Sequence, residues 1–232
     1  VDNLTGLPNT TFRNKAYEAR LELAQQDSGD LTGTAGLQTS RSDFSAEGAE
    51  VVTPPTLTLN HALFVLESWQ ARPDLTLQFG GRYEFQSIKL GEVDPLLPPY
   101  PGYSATTGEK QHASGFSLSA GAVYYPARDY SLGLSLAYTQ RLPVAQEMFS
   151  NGPHGGTGAY EVGSAGLGKE TSLGLDLTLR KRAGFVTGSV GAFVNRIRDF
   201  IFEQKDTAQY FDEDTGAFLP YPGPPGAAFL QI

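Results

Sequence analysis

The sequence predicts an all-β chain: an antiparallel transmembrane β-barrel segment of about eight to nine strands. Apolar and polar side chains alternate with a period of two through segments of about ten to fifteen residues, so the two faces of each strand meet different environments. The joins are very short near 26–30, 71–74, 126–130 and 181–185, and long near 41–55, 90–111, 141–167 and 199–226. A soluble sandwich also alternates. Tight turns at one end and long loops at the other are the outer-membrane pattern. No apolar run approaches the ~20 residues of a membrane helix, and barrel strands show lipid only every second side chain, so their averaged hydropathy stays ordinary.

The first strand, 14–26, sets Tyr17, Ala19, Leu21 and Leu23 against Glu18, Arg20 and Glu22, and so many charges on one face imply a wet lumen. The second, 30–40, places Leu31, Ala35 and Leu37 opposite Thr32, Thr34 and Gln38. The third, 56–70, is partly apolar on both faces, and Glu67 assigns its odd-numbered face to the interior. The fourth, 74–88, is the clearest: Leu75, Leu77, Phe79, Tyr83 and Phe85 alternate with Asp74, Thr76, Gln78, Arg82, Glu84 and Gln86.

The fifth, 112–125, lines up Phe116, Leu118, Ala120, Ala122 and Tyr124, and the sixth, 130–140, Leu132, Leu134, Leu136 and Tyr138. The seventh, 168–182, opposes Leu173, Leu175, Leu177 and Leu179 to Glu170, Ser172, Asp176, Thr178 and Arg180. The eighth, 185–198, runs on through Phe200, Ile201 and Phe202 into the last long loop. The lumen-facing set is therefore Glu18, Arg20, Glu22, Arg82, Glu84, Asp176 and Arg180. Tyr124, Tyr125, Tyr130 and Tyr138 fall near strand ends, where aromatic girdles meet headgroups. Pro54-Pro55, 95–102, Asn151-Gly152-Pro153 and 220–226 cannot continue a ladder, and Asp214-Thr215-Gly216 reads as a small hairpin turn. A new apolar segment opens at 224–232.

Composition narrows the function. A net charge of -8 argues against a nucleic-acid partner, which would need clustered Lys and Arg. The absence of cysteine excludes disulfides and thiolate metal sites. No catalytic signature is present: there is no G-x-S-x-G, no H-E-x-x-H and no P-loop, and the glycines of 163–168 have the wrong order for a dinucleotide. Asp212-Glu213-Asp214 lacks the later bidentate Glu of a calcium loop and reads as a solvated acidic loop. The chain is not expected to be an enzyme, and no resident cofactor is required.

Arg141 continues the polar parity of Ser131, Gly133, Ser135 and Thr139, which points it into the lumen with Glu147 and Glu170 as ion-pair partners. His154 is a candidate metal ligand, with His112 and Glu161 as possible companions, because imidazole with carboxylates suits zinc and related ions. The histidines lie far apart without H-x-H spacing, so a loop histidine with no metal role is the plainer alternative.

Arg141-x-Pro143-x-x-x-Glu147-x-Phe149, then Glu161-x-Gly163 and Leu167-x-x-Glu170, resemble the barrel of TonB-dependent outer-membrane receptors. Asp43-Phe44-Ser45-Ala46 and Pro54-Pro55 extend the likeness, and Asn151-Gly152-Pro153-His154 resembles the zinc-uptake branch. The resemblance implies that Arg141, Pro143, Glu147, Phe149, Glu161, Gly163 and Glu170 form a structural loop motif. It also implies a bacterial outer-membrane location, a lipid surround, a metal or metal-chelate substrate with zinc as the transported ligand, and coupling to the TonB energy transducer through a plug. Such plugged barrels have about 22 strands, on the order of 550 residues. Residues 1–232 are then expected to be a partial barrel domain, with signal peptide, plug and closing strands outside it. The competing expectation is a small complete barrel of about eight strands, filled by its own side chains, with a structural or adhesive role.

Overall fold

Alternation with tight turns at one end builds a meander, because each strand has a neighbour in sequence with which to pair. The computed structural model describes residues 10–48, 51–93, 103, 105–154, 159–212, 215–220 and 228–231. In chain order they form β1 (Thr10–Ser28), β2 (Leu31–Gly48), β3 (Thr56–Arg72), β4 (Leu75–Leu90), β5 (Lys110–Ala127), β6 (Tyr130–Arg141) and α1 (Ala145–Phe149). There follow β7 (Asn151–His154), β8 (Ala159–Val162), β9 (Glu170–Lys181), β10 (Gly188–Arg198), β11 (Lys205–Asp212), β12 (Ala217–Pro220) and β13 (Ala228–Gln231). One eight-stranded sheet runs β1-β2-β3-β4-β5-β6-β9-β10, and every neighbouring pair in it is antiparallel. The all-β antiparallel fold expected from the sequence is the fold observed.

Cross-strand partners project to the same face, so register sorts the wall into two surfaces. Leu21, Leu37, Leu63, Tyr83 and Phe116 form one continuous row, and Trp69, Leu77, Ala122, Leu134, Leu177 and Ala192 another. Most of these side chains are about half exposed, Leu63 at 56% and Leu134 at 47%, with Leu77 and Ala122 more covered. So broad an uncovered apolar surface marks contact with lipid or a partner. The opposite face is concave. It encloses a groove of about 700 Å³ lined by Thr34, Ser68, Gln78, Ser135, Asp176 and Thr178.

Short joins tie the wall at one end. Gly29 takes φ +74° in the first turn, and backbone N–H groups of Gln70, Tyr125 and Arg182 donate to the carbonyls of Asp30, Asp74 and Asp129 across adjacent hairpins at 2.7–2.9 Å. Register shifts fall beside these turns, between Gln25 and Ser28, Gln70 and Arg72, and Tyr124 and Ala127, where an extra residue sharpens the local twist.

The structure changes the expectations in several places. The odd-numbered face of β3 looks outward: Glu67 pairs with Gly33 and Phe79, on the face of Leu63, Val65 and Trp69. One carboxylate cannot override a whole apolar row, and it folds onto Gly33, where an added Cβ would collide with it. Inward, Phe64 lies over Gly36 in the same manner.

The long joins are also not bare loops. β2 continues to Gly48 and β5 begins at Lys110, so the ladders rise past the roughly 9–11 residues a membrane crossing requires. The 141–167 join holds α1, β7 and β8, and the 199–226 join holds β11 and β12. A five-stranded sheet, β12-β11-β13-β8-β7, gathers these pieces. The segment at 228–231 belongs to it, parallel to β8, and is not a further wall strand. The turn between β11 and β12 contains Gly216 at φ +64°. The stretches 95–102 and 221–226 and the pair Glu213-Asp214 lie outside the described residues.

Candidate functional site

Among the described residues, most of the buried apolar side chains gather at the long-join end of the barrel, beginning on β4. Its polar parity ends with Ile88 and Leu90, which are 1% and 0% exposed on the inward face. Ala145, Met148 and Phe149 pack on them, with Val93, Ala105 and Ala165 around the edge. A second cluster joins Tyr160, Val162 and Phe211, flanked by Tyr103 and Phe218. The Tyr160 ring lies 4.4 Å from Phe211 and meets Phe218 edge-on at 5.0 Å, a favoured aromatic arrangement.

Arg141 holds this folded mouth to the wall. It ends β6 directly opposite Glu170, the first residue of β9. Its guanidinium pairs with Glu170 through Nε and donates from Nη1 to Glu147 at 3.0 Å. Buried Pro143 cannot extend the ladder, and the N–H of Val144 donates to Glu147 at 2.9 Å, satisfying an open helix-start donor. One cation thus fixes the end of β6, the first turn of α1 and the start of β9. The Glu170 side chain is only 10% exposed, so its charge depends on this partner.

From α1 the chain is stitched to two other joins. The N–H of Asn151 donates to Val52 at 2.8 Å, Thr53 and Ser150 share a buried hydroxyl contact at 3.1 Å, and Tyr103 Oη donates to the Phe149 carbonyl at 2.9 Å. Burial, reinforced by Glu109, pushes the Tyr103 phenol up to about 12, and burial moves Tyr160 higher still. Gly163 donates to the Ser150 carbonyl at 2.7 Å, and a Cβ there would meet Met148 and Phe149 backbone atoms at 2.6 and 2.7 Å. Only glycine fits that crossing.

The candidate metal ligands separate into two places. His154 Nδ1 and Glu161 pair across the β7–β8 hairpin. His112 lies on the outward face of β5, stacked on Phe85 at 5.7 Å. Among the described residues no group of three or more His, Asp or Glu side chains is arranged to hold a metal ion. Next to the pair, a cavity of about 400 Å³ is lined by Glu147, Glu161, Leu167, Phe202 and Glu203.

Below the mouth, the inward charges of the wall form a chain. Gln38 donates to Glu18 at 3.0 Å and accepts from Arg82 at 3.0 Å, while Arg82 is forked onto Glu84 at 2.8 and 3.1 Å. Arg20 pairs with Glu22 and lies over the Phe64 ring at 4.2 Å, a favourable cation–π distance. Asp176 lines the groove, and Arg180 stands opposite Ser131 and Ser189 on the same face. Gln38 and Phe64 were missed as members of this network. Their signal was parity: each shares a face with the charges once the register of β2 and β3 is known.

Residues 2–224 match the family described as TonB dependent receptor-like, beta-barrel. Among solved structures, the chain superposes on one titled copper transporter OprC with a TM-score of 0.70 and 17% identity, covering 96% of this chain and 33% of that one. It also superposes on a double mutant of the Serratia marcescens hemophore receptor HasR, in complex with its hemophore HasA and heme. There the TM-score is 0.65 at 17% identity, covering 85% of this chain and 35% of that one. The chain thus spans about a third of the length of each.

Proposed function

Because this chain belongs to the TonB-dependent receptor β-barrel family, we propose that it forms part of the wall and the folded mouth of an outer-membrane transport receptor. The family is one of receptors and not of enzymes. The substrate is a scarce metal ion or metal complex, with zinc the first to test. A plug outside this chain closes the lumen and couples uptake to the TonB energy transducer. The observation that carries the reading is the mouth itself: apolar loops packed on the inner rim above a polar, hydrogen-bonded lumen, clamped by Arg141.

His154 and Glu161 supply two donors to a passing metal, and the rest of its shell comes from the substrate's own ligands or from groups elsewhere in the receptor. The structural or adhesive small barrel fits less well, since β1 and β10 are the two open edges of the eight-stranded sheet and do not pair with each other. The test is uptake of labelled zinc, copper and heme by cells carrying the complete receptor, with and without a functional TonB system. Energy-dependent uptake of at least one is expected, reduced by His154→Ala or Glu161→Gln if that cargo passes the pair. Absence of energy-dependent uptake for every metal species offered would remove the transport reading.

A further inference from the structure

We infer that the upper edge of β5, at residues 110–114, is a docking edge that an extended acidic polypeptide joins as an added strand. Register shows how the edge arises. β5 pairs with β4 up to Lys89↔Lys110, but with β6 only as far as Leu118↔Tyr138. β6 runs on to Arg141 with β9 as its partner, and Pro143 then turns the chain inward to α1. In register, β6 and β9 thus end level with Gly115, while β5 climbs on to Lys110, roughly 17 Å further. β1 to β5 therefore rise above the rest of the wall, and β5 is the edge of that rise.

The edge calls for a main chain. Backbone groups of successive strand residues point to alternate sides. The Glu109 carbonyl accepts the Leu90 N–H at 2.8 Å, so odd-numbered residues face β4 and even-numbered ones face the lane that β6 vacates. In that lane the Phe116 N–H donates to Gln140 Oε1 at 3.0 Å, and Lys169 Nζ donates to the Ser114 carbonyl at 3.3 Å. These two side chains stand in for a missing strand. Further up, the N–H and C=O groups of His112 and Lys110 point the same way, and no strand of the sheet pairs with them on that side. Donors and acceptors at this spacing match an extended peptide, and an open edge of this kind is a template for an added strand.

Charge selects the sequence of that peptide. Lys110 and His112 are exposed on the outward face. Lys110 stands directly across from Lys89, and like charges so placed repel. The acids nearby are engaged elsewhere. Asp43, in the same row, pairs with Arg41 at 3.6 Å, and Glu109 accepts from the Thr106 N–H at 3.0 Å and from Gln111 at 2.7 Å. A carboxylate on the added strand, opposite Lys110, relieves the repulsion, whereas a lysine there adds to it. An anion without a main chain would meet the charge but not the edge. The inference rests on the membrane placement in the proposed function, which turns the long-join end outward from the cell, and not on transport.

The test uses the complete receptor in neutral-lipid nanodiscs, with labelled synthetic hexapeptides that alternate Glu with Val or Lys with Val as probes. Saturable binding of the Glu-Val peptide is expected, on the order of tenfold tighter than that of the Lys-Val peptide. N-methylation at its Glu residues, whose amides face β5 when their side chains oppose Lys110, should weaken binding on the order of tenfold. N-methylation at its Val residues should leave binding unchanged. His112→Pro removes a lane-side N–H and spares the ladder to β4, so it should also weaken binding on the order of tenfold. Lys110→Glu should reverse the preference to the Lys-Val peptide, and this reversal decides if His112→Pro loses the heat-modifiable mobility of a folded barrel. Full affinity after N-methylation at Glu, or an unchanged preference in Lys110→Glu, overturns the inference. Dimerisation of the peptide-free receptor that His112→Pro abolishes gives the edge to a second copy and overturns the polypeptide partner. A receptor that binds the peptide but imports nothing leaves this inference standing and removes the transport reading. One that imports its cargo and binds no peptide does the reverse.

Discussion

The wall and the mouth of this chain solve the same problem in opposite ways. In the wall, apolar side chains such as Leu134 and Leu177 stay about half exposed and look outward, while the interior is polar and hydrogen-bonded. In the mouth, Phe149 and Leu90 are fully buried in one cluster and Tyr160 in a second, as in the core of a soluble domain. The wall needs an external apolar solvent to cover its belt. The mouth supplies its own cover, and Ile88 and Leu90, at the top of β4, are where one regime passes into the other. A large-to-small substitution should therefore cost little in the first region and much in the second.

The largest effect is expected for Phe149→Ala. Emptying a fully buried site of this size costs about 3–5 kcal/mol, and the loss should appear as rapid proteolysis of the mouth in the complete receptor while the barrel keeps its heat-modifiable mobility. Leu134→Ala, on the lipid face, should leave the proteolysis pattern unchanged. Equal sensitivity of the two variants would dissolve the distinction between the regions.

Glycine sharpens the comparison next. Gly163→Ala forces a Cβ against the Met148 and Phe149 backbone, whereas at Gly133 in β6 the nearest atoms of a Cβ lie 3.9–4.0 Å away. Overpacking of the first kind costs about 1–3 kcal/mol, so proteolysis of the mouth should accelerate for Gly163→Ala and not for Gly133→Ala.

The clamp between the regions comes third. Arg141→Ala strands the carboxylate of Glu170, and because Arg141 itself is 43% exposed, solvent screening reduces the cost to about 1–2 kcal/mol. Arg141→Lys should recover less than half, since one ammonium cannot reproduce the fork onto two carboxylates. A double-mutant cycle with Glu147→Gln tests this: additive effects would mean that the ion pair does not couple wall and mouth.

The smallest effect is a pH dependence. Tyr103 has its ionisation raised from 10.0 to about 12, so its contribution to the mouth is complete below about pH 10 and declines as pH rises from there through about 12. In the folded complete receptor, phenolate absorbance near pH 10 should be the same for the wild type and the Tyr103→Phe variant, because the Tyr103 phenol ionises only at higher pH. Ordinary titration of Tyr103 would contradict its burial at the Phe149 carbonyl.

These differences also govern what the sequence revealed. Wall strands were legible because a period of two is imposed residue by residue: Leu173, Leu175, Leu177 and Leu179 alternate wherever lipid lies on one side. Glu67 misdirected β3 because parity on a partly apolar strand is settled by its neighbours' register, which no single strand contains. The mouth was largely illegible. Tyr103, Tyr160 and the pair Phe211 and Phe218 come from three separate joins and follow no period, so only the folded chain brings them together. Ile88 and Leu90 were the available sign, since apolar residues on a polar parity need a cover from within. The partners of Arg141 were readable because its parity, the proline two residues on and both acids lie close to the ends of the same two strands.

The central claim is that residues 145–154 and 159–163 form a packed mouth and not an open extracellular loop. Hydrogen exchange on the complete receptor tests it directly. The amides of Ser150, Asn151 and Gly163, bonded to carbonyls at 3.1, 2.8 and 2.7 Å, should be protected to a degree comparable with those of β4. Exchange of all of them at the rate of unstructured peptide would contradict the account.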